Sequence, residues 1–195
     1  MMKTDVKQKI LREGARLVHR KGFHATGIAE VVKAAGVPKG SFYFYFDSKE
    51  AFGLELIDTY ARVIGESARI YLLDESRGTV ERIRGFFGSF VDFLQGNDFR
   101  DGCPIGNLCQ EMADTSEPFR KKLETVMGTL QRNLADVVSE GQKRGEISTD
   151  LDSEATADFL LSGWQGTLLQ MKVKKSRESY GAFEALMFDR VLKPV

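Results

Sequence analysis

The chain has 195 residues, with 28 Lys or Arg balanced by 28 Asp or Glu. Its 42% hydrophobic and 29% charged residues supply a sizeable core and exclude a disordered or collagen-like chain. Two cysteines exclude a disulfide-stapled mini-protein. The first residues run into a charged periodic segment rather than an apolar leader, and no apolar stretch reaches the ~18 residues of a membrane span, so the expected location is the cytoplasm.

The charge balance conceals an asymmetry. The first 50 residues hold ten Lys or Arg and five Asp or Glu, and the remainder is acidic to the same extent. A basic head on a mildly acidic body suits a polyanion, although five charges alone are a modest excess.

Apolar residues recur at the helical period almost throughout. Val6, Ile10, Leu11, Leu17 and Val18 predict a first helix over about 4–21. Lys21 and Gly22 end it with a basic last turn and a C′ glycine, and Phe23 is expected to fold back on its end. Ile28, Val31, Val32 and Ala35 predict a short second helix that starts at Thr26 or Gly27. Gly36-Val37-Pro38 breaks the chain, and a third short helix follows over about 39–46. Asp47 with Glu50 three residues later has the capping-box spacing and opens a long fourth helix to about Leu73. Further helices are predicted near 77–95, 103–113, 116–144, 152–174 and 179–193. Ser116-Glu117-Pro118 and Asp152-Ser153-Glu154 act as starts and Gly145 as a stop. No stretch alternates at period two long enough for a strand, so the fold class is all-α.

The second and third helices, joined by Ala35-Gly36-Val37, have the form of a helix-turn-helix, whose second helix fits the DNA major groove. Gly36 supplies the positive φ such a turn needs. Ala34 and Ala35 would let the helices approach, and Val37 would plug the space between them. That pattern is common. The run that follows is more specific: Lys39-Gly40-Ser41-Phe42-Tyr43-Phe44-Tyr45-Phe46 sets five aromatic rings on a two-turn helix. A helix in a small head cannot bury every face. Phe42 and Phe46, four residues apart, form the inward pair; Tyr43 and Phe44 then project outward, and Tyr45 fits either side. Exposed Tyr beside Lys and Ser suits phosphate oxygens and the edges of bases.

The segments Gly22-Phe23, Thr26-Gly27-Ile28, Ala35 to Phe46 and Ser48-Lys49-Glu50 resemble the DNA-binding domain of TetR-family transcriptional repressors. The resemblance covers about residues 5–60. It implies a helix-turn-helix DNA-binding domain over 1–47 and a ligand-binding and dimerisation bundle over 48–195. It also implies that Thr26 and Gly27 start the second helix beside a phosphate, that Lys39, Gly40, Ser41, Tyr43 and Phe44 lie on the recognition helix, and that Tyr45 and Lys49 reach the DNA backbone. The sequence departs from the family pattern in two places. Gly27 stands where Ser is usual, and Phe44 where His is common, which removes a polar group at each.

In the body, Asp101-Gly102-Cys103-Pro104-Ile105-Gly106-Asn107-Leu108, with Glu111-Met112-Ala113-Asp114 and Gln170-Met171-Lys172, resembles the electrophile-sensing, N-ethylmaleimide-responsive branch of that family. The chemistry can be argued separately. Pro104 suits the first position of a helix and puts Cys103 at its N-cap, where the positive helix end favours a thiolate open to alkylation or oxidation. A small buried Cys packing a helix start is the plainer reading. Cys109 lies six residues on; a helical rise of about 9 Å exceeds the ~7 Å Cα limit of a disulfide. His19 and His24 sit in the head, so they and the cysteines form no metal cluster. Phe86, Phe87, Phe90 and Phe93 are an aromatic run of core type that can also line a pocket. Trp164 between Gly163 and Gly166 suggests space for a ligand or a neighbouring helix. Lys172 either pairs with an inducer or a Cys103 thiolate, or caps a solvated helix end.

Phe159, Leu160, Trp164, Leu168, Phe183, Leu186, Met187 and Val191 are more apolar than a monomer surface needs, and the resemblance implies a homodimer through the last two helical segments. The expected function is therefore a TetR-type repressor of double-stranded operator DNA. It would be released by a small-molecule inducer or by modification of Cys103, with Cys103, Phe90, Trp164 and Lys172 as sensor residues. No catalytic residue, metal or cofactor is expected. The alternatives are a reversible pocket for a lipophilic ligand with Cys103 structural and, more weakly, a thiol-dependent enzyme, for which the body lacks a histidine base.

Overall fold

The computed structural model describes residues 3–194. Every regular element among them is helical, in agreement with the periodicity. The elements are α1 (Lys3–Lys21), α2 (Ile28–Ala34), α3 (Lys39–Tyr45), α4 (Lys49–Tyr71), α5 (Thr79–Gly96), α6 (Pro104–Met112), α7 (Glu117–Lys143), α8 (Ser153–Lys174) and α9 (Glu178–Leu186), with a π-helical turn at Met187–Val191. No helix among the described residues is long and apolar enough to cross a membrane. Two compact units result: residues Met1–Val63 with Pro104–Thr125, and Ile64–Cys103 with Val126–Val195.

In the first unit α1, α2 and α3 pack together. Ile10, Leu11, Leu17 and Val18 from α1 and Val31 and Val32 from α2 are buried, with Phe42, Phe46 and Phe52. The last three rings lie 5.1–5.2 Å apart. The two turns behave as their glycines require: Gly22 has φ +92° and Gly36 φ +65°. Val37 is only half-buried, so it does not plug the space between the helices as fully as expected, and Ala34 is exposed. The Tyr60 hydroxyl donates to the Ala15 carbonyl at 2.6 Å and ties α4 to α1.

The start of α4 differs from the capping box by one residue. Ser48, not Asp47, is the cap: its hydroxyl accepts the Ala51 N–H at 3.0 Å. Glu50 is then free to turn away, and its carboxylate accepts the Ser116 hydroxyl at 2.6 Å. Ser116 in turn caps α7, accepting from the Phe119 N–H at 3.4 Å. A hydroxyl cap competes well with a carboxylate at this position, and a partner on another helix decides where Glu50 goes.

In the second unit Gly78 precedes α5 with no side chain to cap it. Glu146 does this from far along the chain, accepting the Thr79 N–H at 2.5 Å and its hydroxyl at 2.9 Å. Arg82 is almost wholly buried; it donates to the Leu72 carbonyl at 2.7 Å and to Glu140 at 2.8 Å. An unpaired carbonyl beyond the end of α4 and a buried cation thus satisfy each other. The starts and stops at Asp152, whose carboxylate accepts the Ala155 N–H at 2.8 Å, and at Gly145, with φ +71°, are as the sequence indicates.

Candidate nucleic-acid interface and sensor residues

The surface of the first unit that the aromatic helix presents is built by anchoring one side of α3. Phe42 is fully buried and Phe46 nearly so. Their neighbours in sequence are therefore forced outward: Tyr43 is 54% exposed and Phe44 64% exposed. Lys39 and Gly40 are exposed and Ser41 half-buried. Tyr45 is half-buried, with its ring perpendicular to that of Phe44 at 4.9 Å; it braces Phe44 from the side. The ambiguity at Tyr45 thus resolves to a position between core and surface.

Gly27 is the N-cap of α2, extended at φ −86° and without a side-chain cap. Thr26, expected beside it on the surface, is instead 1% exposed, and its hydroxyl donates to the Gly22 carbonyl at 2.7 Å. The carbonyls at the end of α1 need donors, and Thr26 meets that need from inside the turn. Lys49 is half-buried; its ammonium donates to the His24 carbonyl at 3.2 Å and lies 4.7 Å from the Phe23 ring centroid. Burial lowers the affinity of Lys49 for its proton, and the Glu111 charge opposes that shift.

Sequence reasoning did not single out what Glu111 does. It stands in the last turn of α6, and its two carboxylate oxygens accept the consecutive N–H groups of Phe23 at 2.7 Å and His24 at 2.6 Å. The only signal was an acid near a helix C-terminus, where the dipole disfavours it; such a residue needs donors from elsewhere.

In the second unit, Cys103 is half-buried and directly precedes Pro104, the first residue of α6, which is the N-cap position expected from the sequence. The backbone leading to it is unusual: Asp98, Phe99 and Asp101 all have φ between 51° and 70°. Left-handed non-glycine residues cost about 1–3 kcal/mol each. Two bonds help hold them, from the Asn97 amide to Asp101 at 3.1 Å and from Lys175 to the Phe99 carbonyl at 3.3 Å. Lys175 rather than Lys172 thus reaches this loop; Lys172 is exposed on the last turn of α8. Trp164 is buried among the rings of Phe87 at 4.9 Å, Tyr180 at 6.0 Å, Phe183 at 6.1 Å and Phe90 at 6.3 Å. Phe90 is half-buried at the margin of this cluster. Gly163 admits the Phe183 ring, since a Cβ there would lie 3.3 Å from it, whereas a Cβ on Gly166 would meet nothing.

Of the apolar residues expected at a dimer surface, Leu160, Trp164, Leu168, Phe183 and Met187 are buried within the chain itself, and Val191 is half-buried. Phe159 and Leu186 remain exposed, joined by Leu169 and Val173. On α8 the exposed positions Phe159, Ser162, Gly166, Leu169 and Val173 follow the 3-4-3-4 spacing of a helix-pairing seam.

Comparison with known proteins agrees with this architecture. Residues 10–56 match the family model for bacterial regulatory proteins of the tetR family, and residues 79–187 match the tetracyclin repressor-like C-terminal domain. The chain is 32% identical over 192 residues to the HTH-type transcriptional repressor DhaR of Mycobacterium sp. strain GP1, covering 98% of this chain and 95% of that one. It resembles the crystal structure of a regulatory protein TetR from Rhodobacter sphaeroides, with TM-score 0.89 and 36% identity over 95% of this chain and 97% of the other. It also resembles the reduced form of Escherichia coli NemR, with TM-score 0.87 and 26% identity over 98% of each chain.

Proposed function

The chain belongs to the tetR family of bacterial regulatory proteins, and from that premise we propose that it is a cytoplasmic, homodimeric repressor whose α3 reads operator DNA and whose body responds to a small electrophile. The observation that carries the DNA reading is the outward face of α3. Tyr43 and Phe44 are exposed large rings on a helix whose other side is locked by Phe42 and Phe46. Lys39 and Ser41 supply phosphate donors beside them, and Lys49 keeps two further N–H donors after its bond to His24. Gly27 and Gly40 fit the same picture, since nothing in the molecule occupies the space a Cβ would take at either. The open space at both leaves room for the close approach of an outside backbone.

The seam on α8 supports the homodimer. α8 buries Leu160, Leu161, Trp164, Leu168 and Met171 on one side and still carries Phe159, Leu169 and Val173 on the other. A helix apolar all round is a buried helix, and Ser162 and Gly166 would let a second copy approach closely. Two-fold symmetry then sets two recognition helices about 34–36 Å apart, one turn of DNA. Regulation follows as a population shift: modification of Cys103 favours a state whose heads no longer match that spacing. The strained approach to Cys103 and its N-cap position support it as the sensor, with Phe90, Trp164 and Lys172 as candidates for contacts to the effector.

The test is a titration of DNA from upstream of the protein's own coding region, with and without N-ethylmaleimide, for wild type and Cys103→Ser. Release by the electrophile in wild type alone is expected. Release in both proteins sinks Cys103 as the required target and leaves Cys109 as the other thiol; release in neither leaves the DNA reading standing and moves the sensing to a reversible lipophilic ligand. Absence of salt-dependent, sequence-specific binding sinks the repressor reading itself.

A further inference from the structure

The turn that joins α1 to α2 is gripped by groups remote in sequence. Gly22, at φ +92°, turns the chain so that the N–H groups of Phe23 and His24 point the same way. Successive N–H groups beyond a left-handed residue form a concavity that receives an anion, and here the anion is the Glu111 carboxylate, with one oxygen on each N–H. A side chain at residue 22 would also crowd this acceptor, since its Cβ would lie 3.0 Å from Glu111 Oε2. Lys49 holds the same turn from α4 through the His24 carbonyl and the face of Phe23. The Phe23 ring itself is buried against Phe119 at 5.0 Å.

This turn is the lead-in to the helix-turn-helix. Four residues after Phe23 comes Gly27, the N-cap of α2, and α2 packs on α3. We infer that Glu111 is a positioning residue for DNA binding: its carboxylate, carried on α6, fixes the α1–α2 turn and through it the angle at which α2 and α3 meet DNA. Glu111 does not itself touch DNA. The inference makes α6 a working part of the DNA-binding head, although Glu111 lies 88 residues beyond Phe23 in sequence. It rests on the repressor reading above, so its test must separate the two.

Charge supplies the separation. Glu111→Gln removes a negative charge near a DNA-binding surface, and by electrostatics alone it would tighten binding to any DNA. A positioning role predicts the opposite sign for the operator. Gln keeps one acceptor oxygen and sets an NH2 donor against the second backbone N–H. Operator affinity should fall at least tenfold, while affinity for random-sequence DNA at low salt stays the same or rises. The active fraction, from stoichiometric titration, should be unchanged, because partial unfolding would lower that fraction instead. Unchanged or tighter operator binding by Glu111→Gln overturns the inference. Tyr43→Ala runs beside it: if that variant also binds the operator as wild type does, the recognition face is misplaced and the repressor reading fails first. A readout needing no variant is amide exchange in the wild-type protein. The Phe23 and His24 amides should be protected despite lying in a turn, and exchange at the rate of an open turn overturns the clamp whether or not Glu111→Gln folds.

Discussion

Phe42 and Tyr43 are adjacent in the chain and opposite in environment. Phe42 is surrounded by Phe46 and Phe52, whereas Tyr43 stands over half exposed with its ring edge against Phe42. Removing the Tyr43 ring therefore has little to disturb inside the protein. Tyr43→Ala should leave the unfolding free energy within about 0.5 kcal/mol of wild type and weaken operator binding by about 1–3 kcal/mol, the scale of one good DNA contact. Thermal melts and operator titrations on the same preparation check both halves. At this scale the aromatic run is legible in the sequence, because four-residue spacing picks out the inward pair. Thr26 is not: its hydroxyl is drawn inward by a carbonyl of the preceding turn, and nothing in the local sequence states that this carbonyl lacks another donor.

Individual helices are started and stopped by the signals their sequences carry, except where a partner from elsewhere takes over the cap. Gly78 cannot cap α5, and Glu146 supplies the acceptor from beyond the end of α7. The Glu146 carboxyl is held below its ordinary value of 4.5, chiefly by the Thr79 N–H. Glu140 is likewise lowered, chiefly by the hydrogen bond from Arg82. A carboxylate with a depressed folded-state pKa stabilises the fold fully above its unfolded value, and that stabilisation is lost as pH falls through the folded one. The second unit should therefore lose thermal stability as pH drops from about 5 to about 3. Glu146→Gln should start less stable and show a shallower fall over that window. Calorimetry at several pH values decides the point, and an unchanged slope in the variant would remove Glu146 from the account.

Over the whole molecule, exposed large apolar residues lie on several elements, among them Val63 and Ile70 on α4 and Phe93 on α5, but only α8 sets three of them, Phe159, Leu169 and Val173, along one helix-pairing seam. Leu169→Asp places a charge in the middle of the α8 seam and should convert a dimer to monomer without unfolding the chain. Sedimentation equilibrium reads the mass, and circular dichroism reads the helix content. A monomer holds one recognition helix and should lose most operator affinity along with the steep salt dependence of a two-headed complex. A stable dimer of Leu169→Asp would place the interface on another surface.

The sequence by itself determined the all-α class, the positions of the helices to within a few residues, the glycine turns at Gly22 and Gly36, and the inward and outward faces of α3. Each of these depends on neighbours within one or two helical turns, where periodicity and capping chemistry are local. Only the tertiary structure decided that Ser48 caps α4 while Glu50 joins Ser116, that Glu146 caps α5, that Lys175 rather than Lys172 reaches the loop before Cys103, and that Glu111 receives the amides of Phe23 and His24. Apart from the local Ser48 cap, these contacts pair a polar group with a partner that the fold brings near from tens of residues away. A buried or half-buried polar group must find such a partner, but the sequence shows only that the need exists.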